Sequence, residues 1–352
     1  MSDPRSLIPV DDALADLARF DAIVDVRSES EYAEDHIPGA ISCPVLSDAE
    51  RAEVGTMDRQ QSSFEAKRRG AALVARNIAL HLEHAFADKP RSWKPLVYCW
   101  RGGNRSGAMT HILSRVGWQA RQLEGGYRAF RRAVLADLDR LPLQFTFRVI
   151  CGTTGSGKSR LLQHLTEAGA QVLDLEALAH HRGSVLGSLP ALPQPSQKNF
   201  ETRVWSALRG FSTERPVFVE SESRKVGELR VPDQLLMSMR GSECIRLELP
   251  LPARVRLLRD EYVHFESDTA TLHEKLDCLV ALHGHERITQ WKSLVDAGRW
   301  DELVERLLVE HYDPAYLRSI GRNFTHSPDA RSLALVSDEA DEFRAAARDL
   351  AG

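Results

Sequence analysis

Short apolar runs recur along the chain, separated by longer stretches in which apolar side chains return every third or fourth position. The run DAIVDVR, starting at Asp21, predicts a buried strand. SESEYAEDHIPGAISCPV follows it, predicting a capped acidic turn, a Pro-Gly turn and a short strand that ends at Pro44. Residues 47–88 keep polar, helical spacing. KPLVYC then predicts a strand, RSGAMTHILSRVG an amphipathic helix with a glycine stop, and WQARQLEGG a strand and turn. Helical spacing over 127–142 ends at Pro142, and LQFTFRVI opens a second series of strands. Strands alternating with helices predict an α/β fold with parallel sheets. The boundary falls near residue 140, giving domains 1–140 and 141–352, the second with a mostly helical C-terminal part from about residue 253. ALPQPSQKNF, 191–200, is polar and proline-rich and reads as a mobile or binding loop of the second domain. No internal repeat interrupts this pattern.

Composition changes the picture only at a few points. With 352 residues, 43% of them hydrophobic, the chain can bury two ordinary cores. A net charge of −4 supplies no general pull toward nucleic acid, so an RNA partner has to be met by a local basic patch. The five cysteines form no CxxC pair or Cys/His cluster with zinc spacing, which fits a reduced, cytoplasmic setting. No apolar run approaches the ~20 residues of a membrane span, so no membrane partner is expected.

Two loops carry the candidate chemistry. Residues 152–159, Gly152, Thr153, Thr154, Gly155, Ser156, Gly157, Lys158 and Ser159, match GxxxxGK[ST], with an apolar run before and a helical stretch after. Such a P-loop wraps backbone amides around phosphate oxygens, adds a helix dipole and the Lys158 charge, and offers the Ser159 hydroxyl to a magnesium ion. VFVESES ends in Glu220 and Glu222, where a metal-directing carboxylate is expected. VLDLEALAHHRGS places Asp174, Glu176, His181 and Arg182 after another strand, at the sheet edge where ligands bind. Arg224 follows close behind.

The second loop is YCWRGGNRS. Cys99 stands at a strand end, followed by glycine amides, the guanidinium groups of Arg101 and Arg105, and a helix start. These features favour a nucleophilic thiolate beside an anion site, suited to carrying sulfur, selenium or a phosphoryl group. Cys43 and Cys151 read as small core residues, and Cys244 and Cys278 receive no role. For RNA phosphates the candidates are Arg128, Arg131, Arg132, Lys225, Arg254, Arg256 and Lys292, with Trp291 or Tyr127 to stack on a base.

DVRSESEYAEDHIPGAISCPV, LVYCWRGGNRSGAM and LEGGYRAF together resemble the rhodanese family, whose loop cysteine accepts a chalcogen. Arg105 lies six residues after Cys99 rather than the five of common single-domain rhodaneses. This CxxxxxR spacing is also that of dual-specificity phosphatases and leaves room for a donor as large as selenophosphate. In order, CWRGGNRS, CGTTGSGKS, LDLEALAHHRGS, PSQKNFE, VFVESESRKVG and HYDPAY resemble the tRNA 2-selenouridine synthase family along nearly the whole chain. The resemblance implies a transferase acting on 2-thiouridine at the tRNA wobble position, in the anticodon region. It would geranylate the sulfur with geranyl diphosphate and then replace the geranylthio group by selenium from selenophosphate, which a separate supplier provides. The P-loop would hold the diphosphate without obligatory ATP, while Cys99, Arg101 and Arg105 would serve the selenium half. Two other readings stay open: an ATP-dependent tRNA sulfurtransferase or kinase, and a non-enzymatic chalcogen carrier with a nucleotide-sensing P-loop.

Overall fold

The structure, a computed structural model, describes residues 6–352 except 185, 190, 191, 325 and 327–329. The expected α/β class is present as two parallel five-stranded sheets. The first contains β1 (Leu7–Ile8), β2 (Ala22–Asp25), β3 (Ala40–Ser42), β4 (Pro95–Tyr98) and β5 (Arg121–Leu123), in the order β1-β5-β4-β2-β3. Parallel neighbours need a crossover between them, and helices such as Asn104–Val116 supply it. Val24, Val97, Met109 and Leu113 pack beneath the sheet with Cys43 and Cys99. The long helical stretch divides in two, Asp48–Gln60 and Ser63–Glu83, because Ser62 caps the second helix by accepting from Glu65 N at 3.4 Å.

The second sheet contains β6 (Phe147–Cys151), β7 (Gln171–Leu173), β8 (Val217–Glu220), β11 (Glu243–Glu248) and β12 (Arg331–Ala334), in the order β12-β11-β6-β8-β7. A small antiparallel hairpin, β9 (Lys225–Val226) and β10 (Leu229–Arg230), stands apart from it. The chain leaves β6 toward β7 on one side and later returns to β11 on the other, so a crevice opens at the carboxyl end of β6. Helices Lys158–Glu167 and Ala340–Ala351 close over this sheet through Leu161, Leu165, Phe343 and Ala347. The helical C-terminal part has its own core around Trp291, Leu276 and Leu307.

By proximity the chain divides into Met1–Asp137 with Ser196–Ser206, and Leu138–Pro195 with Ala207–Gly352. All of the PSQKNFE segment after Pro195 is therefore a part of the first unit. Residues from Gln197 onward, expected in a loop, begin the helix Gln197–Arg209. Its Phe200, Val204 and Trp205 are fully buried, and the Trp205 ring meets Phe130 edge-on at 5.5 Å. Asp35, wholly buried in the first unit, accepts from Thr202 Oγ1 at 2.9 Å, Asn199 Nδ2 at 3.5 Å and Tyr127 Oη at 2.8 Å. A buried carboxylate is tolerated only when donors surround it, so this residue ties the helix down. Asp35→Ala leaves those donors unpaired and is expected to cost about 3 kcal/mol of stability. Denaturant unfolding reads this directly. A change under about 0.5 kcal/mol, the range of ordinary surface substitutions, would contradict it.

Candidate functional site

β6 ends at Cys151, and residues 152–157 turn directly into the helix Lys158–Glu167. The tightness of this turn depends on glycine. At Gly157, with φ +86°, a Cβ would come within 2.5 Å of the Phe343 ring, and at Gly152 within 2.4 Å of Ser156 Oγ. Lys158 Nζ folds back over the loop, donating to Gly152 O at 2.9 Å, and Ser159 Oγ donates to Glu176 Oε2 at 3.0 Å. The Gly152 amide donates to Tyr316 Oη at 2.7 Å. From beneath, Arg254 donates to Thr154 O at 3.0 and 2.7 Å and pairs with Asp313 at 2.6 Å. Tyr316 and Asp313 both come from HYDPAY, a motif to which the sequence reading gave no role.

A cleft of about 1060 Å³ opens over the loop, lined by Lys158, Ser159, Asp174, Glu176, His181 and Glu222 among others. Arg182 lines it too, lying over the Tyr262 ring at 4.9 Å and donating to Glu261 O. Burial lowers the His181 pKa, and its Nδ1 accepts from Gly183 N at 3.1 Å. Asp174 caps the short helix Leu175–Ala179 by accepting from Ala177 N at 2.8 Å, its carboxyl pushed up by burial. Glu220 ends β8, the strand next to β6, and its Oε1 accepts from Glu176 N at 2.9 Å. Its Oε2 is buried with no hydrogen-bond partner. Burial first, then the charges of Asp174, Glu176 and Glu222, drive the Glu220 pKa well above the ordinary carboxylate value.

Glu222 is pushed up to about 8, by burial first and then by the charge of Glu176. Its folded pKa exceeds the unfolded value of about 4.3, so its stabilising protonation is complete below pH ~4.3 and lost as pH rises through about 8. Thermal unfolding of the ligand-free chain should therefore show stability falling over this window, by at most about 1.4 kcal/mol per pH unit from this group. Glu222→Gln should flatten the fall. An unchanged slope in the variant would contradict this assignment.

In the first unit, Cys99 follows β4 and is 4% exposed. Its Sγ lies 3.1 Å from Ser106 Oγ, which in turn accepts from Gln122 Nε2 at 3.1 Å. Gln122 also donates to Gly102 O at 2.6 Å, clamping the loop from β5. Gly126, with φ +57°, lets the following turn press against the loop, since a Cβ there would lie 2.2 Å from Cys99 O. Arg101 is exposed, whereas Arg105 donates to Glu31 Oε2 at 2.9 Å. Burial works against the charged form of Glu31, yet the bonds from Arg105 and the Ser28 amide hold its pKa below the usual carboxylate value. Neither Gln122 nor Gly126 was singled out from sequence, because both reach the loop from the next strand and turn.

Several RNA candidates occupy other roles. Trp291 is 0% exposed in the helical core, and Tyr127 is buried with its hydroxyl on Asp35, so neither can stack on a base. Arg254, at 6% exposure, is spent on Thr154 and Asp313 rather than facing solvent. Arg131 is paired with Glu201 inside the first unit. Arg128, Arg132 and Lys225 are exposed. Arg224 and Arg256 are exposed but paired with Asp233 and Asp338, and Lys292 pairs with Asp277. Among the described residues no three His, Cys, Asp or Glu side chains are arranged to ligate a metal by themselves, and no helix is long and apolar enough to cross a membrane.

Comparison with known proteins covers both units. The family described as tRNA 2-selenouridine synthase AAA domain matches residues 145–327, and the rhodanese-like domain family matches residues 10–133. The chain is 35% identical over 346 residues to a tRNA 2-selenouridine synthase of Aeromonas salmonicida, spanning 90% of this chain and 92% of that one. A protein of the same name from Hydrogenovibrio crunogenus is 31% identical over 321 residues, spanning 84% and 88%. Among solved structures, the N-terminal domain of a putative ATP/GTP binding protein from Clostridium difficile 630 is 40% identical, covering 37% of this chain and 99% of that one, with a TM-score of 0.32.

Proposed function

The chain belongs to the tRNA 2-selenouridine synthase family, and from that membership we propose that it converts 2-thiouridine in tRNA to 2-selenouridine in two transfers. In the first, the thiocarbonyl sulfur attacks C1 of geranyl diphosphate. The C1–O bond breaks, its electron pair leaves with the diphosphate, and N3 of the base loses its proton to solvent. The P-loop amides, the helix N-terminus and Lys158 stabilise the departing charge, so ATP is not needed. The Ser159 hydroxyl, Glu176 and the unpartnered Glu220 oxygen are the groups that would hold a magnesium ion here. When bound, such an ion neutralises diphosphate charge.

The product is a neutral thioether on an electrophilic carbon. A selenium nucleophile adds to that carbon and expels geranylthiolate. Selenium in selenophosphate is already at the selenide level, which constrains Cys99. A bond from the Cys99 sulfur to selenium would leave phosphorus as phosphite. Attack of the thiolate on phosphorus instead breaks the P–Se bond, releases selenide and leaves S-phosphocysteine, which water returns to thiol and phosphate. The six-residue step to Arg105 and the Ser106 hydroxyl 3.1 Å from the sulfur support this second course. Of the candidates for tRNA phosphates, Arg128, Arg132 and Lys225 are exposed, and exposed Arg101 can meet the donor's phosphate.

The observation that carries this reading is the pairing, in one chain, of a glycine-bound thiol loop with a P-loop over an open cleft. Mass spectrometry of tRNA nucleosides after incubation with geranyl diphosphate alone, selenophosphate alone, and both tests it. Geranylthiouridine is expected from the first, nothing from the second and selenouridine from both. Selenouridine without geranyl diphosphate would refute the sequence of steps. Nucleotide turnover stimulated by tRNA would support the ATP-dependent alternative.

A further inference from the structure

Two helical irregularities of the second unit meet at one hydrogen bond. Leu308–Tyr312 forms a single turn of π-helix between the helices Trp300–Leu307 and Asp313–Asn323. The helical stretch Val280–Asp296 breaks at Gly284, with φ +79° and ψ 162°, a conformation essentially restricted to glycine. His311 lies in the first irregularity and His283 borders the second, and His283 Nε2 and His311 Nδ1 are 2.9 Å apart. The buried Trp291 ring stands edge-on to His283 at 5.0 Å. Single π-turns are frequent at functional sites, and His311 lines the phosphate cleft. Ala315, Tyr316 and Ser319 line it too, which places His311 on the helix face that carries Tyr316. Tyr316 Oη takes the Gly152 amide of the P-loop at 2.7 Å, and the five residues from His311 to Tyr316 span about 7 Å of helix. A nucleobase whose sulfur reaches a carbon on the bound diphosphate comes within range of this imidazole.

We propose that His311 is the base that takes the N3 proton of 2-thiouridine during S-alkylation, with His283 as its positioning residue. The inference rests on the reading of the cleft as the site of geranyl transfer. His311 Nδ1–H donates to His283 Nε2, which leaves the lone pair on His311 Nε2 for the cleft. As the S–C bond forms, positive charge gathers on the nucleobase and its N3–H becomes acidic. The proton passes to His311 Nε2, the N–H electron pair stays on N3, and the imidazolium later releases the proton to water. His283 stabilises that imidazolium by accepting from Nδ1–H. The other charged and titratable groups around the pair are Arg287 and Glu310, which pair with each other at 3.3 Å, Arg318, and the Tyr312 ring 4.7 Å from His311. Burial first, then the charges of His283 and Arg318, lowers the His311 pKa, so the ring is neutral and able to accept a proton at pH 7.

Single-turnover geranylation of tRNA bearing 2-thiouridine by the full chain, followed from about pH 5 to about pH 10, tests it. The wild-type rate should rise with pH and level off below about pH 7, once His311 is neutral. His311→Gln should lower the rate about 10²-fold at pH 7 and return to within about three-fold of wild type near pH 10, where N3 ionises without help. His283→Phe should lower it about 10-fold, and His283→Gln, which keeps an acceptor for Nδ1–H, should restore most of that loss. Inorganic pyrophosphate binding within about two-fold of wild type shows that the variants are folded. A wild-type rate that climbs over the whole range would overturn the proposal without any variant. So would His311→Gln with the wild-type rate at pH 7, or with the same loss at every pH. Failure of the wild-type chain to make geranylthiouridine at any pH would instead refute the reading of the cleft as the geranyl-transfer site, and the base with it.

Discussion

Lys158→Ala is expected to lower the rate of the proposed geranyl transfer to thiolated tRNA by about 10²–10³-fold, the usual loss when one preorganised charge-stabilising donor is removed. The reason lies in where charge develops. As the allylic C–O bond breaks, negative charge collects on the diphosphate, and the Lys158 ammonium, now resting on Gly152 O at 2.9 Å, is the mobile charge that can follow it. Loop amides and the helix dipole remain in the variant, which is why some rate survives. Single-turnover kinetics with saturating geranyl diphosphate check the loss in the chemical step. A variant with an unchanged rate at saturation and only weaker binding would mean that Lys158 grips the ground state and the transition state equally.

Cys99→Ser is expected to abolish selenium incorporation while the proposed geranylation continues at the wild-type rate. Oxygen at this position is a far weaker nucleophile, and the surrounding loop, clamped by Gln122 and by Gly126 against the Cys99 carbonyl, stays in place because serine is nearly the same size. The expected signature is an accumulation of geranylthiouridine in the presence of selenophosphate, read by nucleoside mass spectrometry. Selenouridine made at the wild-type rate by the variant would remove the cysteine from the chemistry. In the wild-type chain, a trapped Cys99 adduct carrying phosphate and lacking the selenium isotope pattern would mark attack at phosphorus; an adduct carrying selenium would overturn that course.

What the sequence made legible was local. The P-loop is one strand, one turn and one helix, and every residue that shapes it stands within a few positions of Gly152 and Lys158. The Cys99 loop was legible for the same reason. The supports of both loops were not, because they arrive from far along the chain. Gln122 reaches the thiol loop from a neighbouring strand, Arg254 reaches Thr154 from 100 positions away, and Asp313, a further 59 positions along, holds Arg254 in place. Basic residues at helical spacing looked like an RNA surface. Burial separates them, since Arg254 is enclosed beneath the P-loop while Arg128 and Arg132 face solvent. Trp291 failed for a related physical reason: an aromatic ring at a core-facing position of a helix is worth more buried than stacked on a ligand. The polar and proline-rich composition near PSQKNFE suggested a loop, yet its helix is held by a carboxylate that lies some 160 residues earlier, at Asp35. Nothing in the segment itself announces that partner.

The division of labour between the two loops is tested most directly by supplying tRNA that already carries the S-geranyl group. Given this substrate and selenophosphate, the Lys158→Ala chain should form 2-selenouridine at the wild-type rate, because the step that needs the P-loop lysine has been bypassed, while Cys99→Ser should form none. Loss of selenouridine formation in Lys158→Ala on the pre-geranylated substrate, or its formation by Cys99→Ser, would contradict the account.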